Sequence, residues 1–118
     1  MIEILEPNFK FGDDRGSLTQ LVREGYRQVN VIKSKAGANR GGHYHKLNRE
    51  AFFIINGGFD LTVRLGKKSD KYHFGTGDMF LIKPMVVHDF YFTDETTLVS
   101  MYDQGVELGD GKMDIYPG

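Results

Sequence analysis

Apolar and polar residues alternate along Phe59-Asp60-Leu61-Thr62-Val63-Arg64-Leu65. An extended strand there turns Phe59, Leu61, Val63 and Leu65 to one face and the polar residues to the other. A different run, Ala51-Phe52-Phe53-Ile54-Ile55, is apolar at every position, the pattern of a strand buried on both faces. Further strands are expected over Ser17–Arg23, Gln28–Ser34, Lys71–Phe74, Met79–Ile82, His88–Phe92 and Leu98–Tyr102. The breaks between strands carry turn chemistry: Asn56-Gly57-Gly58, Gly66-Lys67-Lys68-Ser69-Asp70 and Gly75-Thr76-Gly77-Asp78. Asn-Gly-Gly predicts a hairpin between Ala51–Ile55 and Phe59–Leu65, because its tight turn needs positive φ. No stretch sustains a helical period. Short strands at this spacing, with 15 glycines against three prolines, predict an all-β single domain over residues 1–118, a sandwich or a jelly-roll barrel. The segment from Gly109 to Gly118 is expected to be an edge strand or a loosely held end.

Composition narrows the partners more than the fold. A chain of 118 residues, 40% hydrophobic and 13% aromatic, is long enough to bury a core and is not disordered in composition. Its formal charge of −1, with no run of like charge, gives no footprint for nucleic acid or an anionic membrane. There is no apolar stretch of membrane-spanning length and no signal-peptide pattern, so a cytoplasmic protein is expected. With no cysteine in the sequence, a transition metal would have to be held by His, Asp or Glu.

Those residue types gather in one place. His43 and His45 stand two apart, so on a strand both rings project from one face and Tyr44 from the other. Glu50 comes next across a Leu47-Asn48 bend that can return its carboxylate to that face, and His88 opens another strand after Pro84. Three imidazoles and one carboxylate make a ligand set for a divalent transition metal (zinc, nickel, iron or manganese), with positions left for water or substrate. Without a metal, the same residues read as two partly exposed strand histidines and a solvated loop acid.

The spacing resembles the cupin superfamily. Gly37, His43, His45, Glu50 and Gly57 match every fixed position of the first cupin motif, G-x5-H-x-H-x3-4-E-x6-G. Gly77, Pro84 and His88 match the second in order, but Val86 stands at its second glycine and Phe92 at its terminal asparagine. The resemblance implies a small jelly-roll barrel whose mouth is lined by His43, His45, Glu50 and His88, the four protein ligands of metal-binding cupins.

A narrower likeness lies upstream. Phe11-Gly12-Asp13-Asp14-Arg15-Gly16-Ser17-Leu18 is similar to a signature of cupins that act on nucleotide-linked deoxysugars, the 3,5-epimerases and 3,4-ketoisomerases. Arg40-Gly41-Gly42-His43 resembles their R-G-x-H segment, whose histidine abstracts the proton. The likeness implies that Arg15 and Arg40 lie near the nucleotide diphosphate, a role that suits planar bidentate donors. The ketoisomerases carry a glutamine at the position of Glu50 and work without metal. With its glutamate, this chain looks more like the metal-binding C-terminal cupin domain of capsular-polysaccharide biosynthesis enzymes.

The chemistry implied by this likeness is proton transfer on a 4-keto sugar. A base removes a C–H proton next to the carbonyl, positive charge steadies the enolate, and an acid returns the proton elsewhere or on the other face. His43 is the expected base, Lys46 or the metal the expected oxyanion partner, and Tyr102 the expected acid, with Tyr44 and Tyr91 as alternatives. A metal-coordinated His43 is not free to act as the base. His73 reads as a surface or packing residue. Two other classes fit the same ligands: a different metal-dependent cupin, of the dioxygenase or phosphomannose-isomerase type, and a non-catalytic module that binds sugar or metal. A nucleotide-sugar partner is expected, as is a homodimer formed through an exposed strand such as Ile2–Leu5.

Overall fold

Turn chemistry cuts the chain into twelve strands in the computed structural model, which describes residues 1–118. They are β1 (Ile2–Leu5), β2 (Phe9–Asp13), β3 (Gly16–Gln20), β4 (Gln28–Ser34), β5 (Asn39–Tyr44) and β6 (Glu50–Asn56). The second half contributes β7 (Gly58–Leu65), β8 (Lys68–Gly75), β9 (Met79–Ile82), β10 (Val87–Phe92), β11 (Thr96–Tyr102) and β12 (Tyr116–Pro117). There is no helix, so none long and apolar enough to cross a membrane. Two antiparallel five-stranded sheets face each other as a jelly roll, ordered β1-β9-β6-β11-β4 and β12-β5-β10-β7-β8. The β2–β3 hairpin pairs only with itself and leaves Phe9, Phe11 and Leu18 about half exposed.

Alternation places the core. Phe52 and Ile54 of β6, Phe59, Leu61 and Val63 of β7, and Phe90 and Phe92 of β10 all point between the sheets. They meet Phe74, Phe80, Ile82 and Leu98 there, and each fully buried side chain of this size contributes roughly 1.5–3 kcal/mol. A smaller cluster of Ala51, Met79, Leu81 and Met101 lies on the outer face, under Leu21, Val22 and Tyr26. That cover ends before Ile55, which is 47% exposed, so the all-apolar run is buried on both faces only at its start.

Three local expectations change. The Asn56-Gly57-Gly58 stretch is not a hairpin: β6 and β7 belong to different sheets, and the chain crosses between them at Gly57. Gly57 has φ 115°, outside the range of the tight hairpin turn, and a Cβ there would lie 2.5 Å from the Glu95 carbonyl oxygen. The turn after β7 is shorter than its polar run, because Lys68-Ser69-Asp70 already pair with Leu65, Arg64 and Val63. In the second motif the left-handed residue is Met85, at φ 73°, rather than Val86, which is buried in the core. A side chain in that conformation costs roughly 1–2 kcal/mol, so the glycine role has moved by one position and is filled at a strain.

Candidate active site

The register of β5 against β10 sets His43 opposite His88, with a bulge immediately after His88. Gly41 makes that approach possible: at φ 116°, a Cβ on it would lie 2.9 Å from Asp89 Cα and closer still to the His88 carbonyl oxygen. His45 lies just past the end of β5, and the chain bends at Lys46 and Leu47 before Glu50 opens β6. Across β6, Glu50 pairs with Tyr102 of β11. Four separate strand ends therefore converge on one point.

At that point the ligand nitrogens of His43, His45 and His88 all lie within 4.8 Å of one another. His45 directs one ring nitrogen, Nδ1, at the Asp114 carbonyl oxygen (2.6 Å), and His88 directs its Nδ1 at the Val86 carbonyl oxygen (3.1 Å). A carbonyl can only accept, so Nδ1 carries the hydrogen in both rings and Nε2 faces inward. Glu50 Oε1 lies 3.2 Å from His45 Nε2 and 3.7 Å from His88 Nε2, while Oε2 accepts from the Ser100 hydroxyl at 2.6 Å. Imidazoles oriented through Nδ1, with a carboxylate beside them, fit a divalent transition metal.

Burial and charge divide these groups. Burial pulls the His45 imidazole down, but its hydrogen bonds to Glu50 and to the Asp114 carbonyl outweigh it and raise its pKa. Burial pushes the Glu50 carboxyl up, and His45, His88 and Ser100 together hold it below its ordinary value. The two shifts describe one imidazolium–carboxylate pair. His88 is held down at about 4, chiefly by desolvation, which the Glu50 charge and the hydrogen bond to the Val86 carbonyl only partly offset. His43 is only half-buried, and burial, then the charge of His45, lowers it too. Tyr102 is pushed above its ordinary value by burial and then by the Glu50 charge, so its hydroxyl stays protonated at neutral pH.

These directions fix a pH dependence for the metal-free protein. His45, raised in the fold, stabilises fully below its unfolded value of 6.5, and the gain is lost as pH rises through its folded value. His88 and His43, depressed in the fold, do the reverse, since the unfolded chain binds their protons first. Stability should therefore peak near pH 6.5 and fall by roughly 2 kcal/mol between about pH 6 and pH 4.5 through His88 alone. Urea unfolding in the presence of chelator measures it, and a flat profile over that window would contradict the assignment of His88 as a buried neutral ring.

A cavity of about 310 Å³ opens onto the cluster, with His43, Glu50, His88 and Tyr102 at one end and Ile32, Phe52, Phe90, Phe92 and Leu98 as walls. Arg40 stands at its rim, with Nε donating to the Ser34 hydroxyl at 2.8 Å. Of the residues expected from sequence, His43, His45, Glu50, His88, Tyr102 and Arg40 come together here. Arg15 does not line the cavity: it sits at the turn of the β2–β3 hairpin, 86% exposed, paired with Asp13 at 2.6 Å. Nor does Lys46, whose ammonium lies 4.2 Å over the Tyr116 ring. His73 is at the surface, paired with Asp60 at 2.8 Å.

Ser100 and Asp114 belong to the site without having been expected there. Ser100 was within reach of the sequence, lying two residues before Tyr102 on the same face of a strand. Asp114 carried no local signal.

The chain matches the model of the polysaccharide biosynthesis C-terminal domain over residues 11–106. A search of curated protein sequences found no match. Among solved structures it is similar to a TDP-quinovose 3,4-ketoisomerase from Campylobacter jejuni, 18% identical with a TM-score of 0.83 over 99% of this chain and 92% of that one. A 3,4-ketoisomerase from Thermoanaerobacterium thermosaccharolyticum, in complex with TDP-4-keto-6-deoxyglucose, gives 17% and 0.77 over 92% and 84%. A dTDP-4-dehydrorhamnose 3,5-epimerase from Sulfolobus tokodaii gives 22% and 0.73 over 86% and 69%. At these identities the likeness establishes the fold, a cupin-type jelly roll.

Proposed function

The chain belongs to the polysaccharide biosynthesis C-terminal domain family, and from that premise we propose that it is an epimerase or isomerase of nucleotide-linked 4-keto-6-deoxysugars. One observation carries the reading: a half-buried histidine of lowered pKa, His43, shares an apolar-walled cavity with a tyrosine kept protonated, Tyr102. Base and acid are thus set apart in one pocket, as proton relocation on a keto sugar requires. His43 takes the proton from the carbon beside the carbonyl, and the electron pair moves onto the carbonyl oxygen. Tyr102 supplies a proton to carbon as the enolate collapses back to the carbonyl, and the proton on His43 passes through solvent to the Tyr102 phenolate, which restores both residues. The apolar walls exclude water from the enolate, and they suit the methyl group of a 6-deoxysugar. Arg40 at the rim takes the diphosphate. The activities named for the three similar structures support this choice of substrate.

A divalent transition metal fits among His43, His45 and His88 with Glu50 beside them, and when bound it supplies positive charge to an oxyanion. The deeper residues, His45, Glu50 and His88, would hold it in either role of His43. His43 would serve either as their fourth partner or as the free base, and the zinc affinity of a His43→Asn variant separates the two. A homodimer suits β1 and β4, the edge strands of the first sheet, and the exposed apolar residues of the β2–β3 hairpin.

Incubation with dTDP-4-keto-6-deoxyglucose in heavy water tests the proposal by product mass. Deuterium is expected on a ring carbon. Tight binding of the nucleotide sugar without exchange would instead make the chain a binding module, and neither binding nor exchange across a panel of 4-keto sugars would remove the substrate class.

A further inference from the structure

We propose that Asp114 is a positioning residue for the histidine cluster, holding His45 and the loop that leads to Glu50. The inference rests on reading those residues as a metal site. Asp114 lies between β11 and β12, beyond residues 11–106 that the family model covers, and is wholly buried.

Its main-chain carbonyl accepts from His45 Nδ1 at 2.6 Å, which leaves the Nε2 of that ring to face the site. Its carboxylate accepts from three consecutive main-chain N–H groups, those of Lys46 (2.9 Å), Leu47 (3.0 Å) and Asn48 (3.1 Å), and from Asn48 Nδ2 (2.8 Å). Those amides form the connection between His45 and Glu50. One residue thus fixes both the rotation of the ring and the path that returns the carboxylate to it.

Asn48 extends the grip, accepting from the N–H groups of Gln104 and Gly105 and donating to the Gly105 carbonyl, two and three residues after Tyr102. The turn that carries Asp114 is therefore part of the site rather than an appendage. An aspartate is specifically required, because an amide at this position would turn an N–H group toward a main-chain N–H donor.

Zinc titration of metal-free protein against a competing chelator tests the role. Asp114→Asn should weaken zinc binding by about 10–100-fold, the range for losing a group that orients a metal ligand. Tyr116→Ala, which loosens the same segment by removing the ring stacked on Tyr44, should leave zinc affinity unchanged. Equal losses in the two variants would reduce Asp114 to a general anchor of the tail and overturn the proposal, as would an Asp114→Asn protein that binds zinc like the wild type.

A second readout needs neither metal nor a folded variant. In the wild type, the His45 Nδ1 proton should exchange slowly with water and show coupling to the Asp114 carbonyl carbon by NMR. A freely exchanging proton overturns the proposal outright. If the wild type binds no zinc, the metal reading fails, and the state of this proton still decides the positioning role.

Discussion

Replacing His43 with asparagine is expected to lower deuterium exchange into a 4-keto-6-deoxysugar by about 10²–10⁴-fold, the usual worth of a positioned base. The fold should survive. His43 sits on β5, whose pairing with β10 runs through main-chain groups, and its side chain is half exposed to the cavity rather than packed in the core. Asparagine keeps a polar side chain, shorter than the imidazole, and cannot titrate. The same variant separates the two roles open to His43. If it is the free base, exchange is lost while zinc affinity holds; if it is a ligand, both fall together. Exchange near the wild-type rate would take His43 out of the mechanism.

Glu50→Gln is expected to act on the metal and on stability at once. The carboxylate is 3% exposed and faces two imidazoles and a hydroxyl, so an amide there keeps the shape and loses the charge. Zinc affinity should fall by more than the roughly 10–100-fold that an orienting group is worth, because the lost negative charge stands next to two ligand nitrogens. Breaking a buried pair by removing one partner costs about 3–5 kcal/mol if the other stays charged. His45 escapes part of that by releasing its proton, so the destabilisation should be greater at pH 6 than at pH 8. Denaturant unfolding at the two pH values measures the difference. Unchanged zinc affinity would remove Glu50 from the ligand set.

Much of the architecture was legible because strand and turn signals are local. Gln28–Ser34 and Met79–Ile82 are strands over the residues expected from their pattern, and the remaining expected strands differ from those observed at their ends. What local chemistry does not encode is which sheet the next strand joins. Asn56-Gly57-Gly58 announces positive φ correctly at Gly57, yet the chain uses it to change sheets. The same limit applies to the site. The spacing of His43, His45 and Glu50 is a short-range pattern, and it brought those groups to one point. Arg15 and Lys46 sit in equally suggestive stretches, but the hairpin turn and the Tyr116 ring take them elsewhere in this chain. Asp114 is the converse case, central to the site and invisible from the sequence, because its partners are 66 to 69 residues away.

That separation has a consequence for the order of assembly. During synthesis His45 and Glu50 emerge well before His88, and Asp114 emerges later still. The loop that joins His45 to Asp114 spans 69 residues, and its closure must precede any contact between them. Until then the ring of His45 turns freely and the bend before Glu50 has no template. A stalled or clipped chain that ends short of Asp114 would carry every expected metal ligand and still lack the residue that aligns two of them.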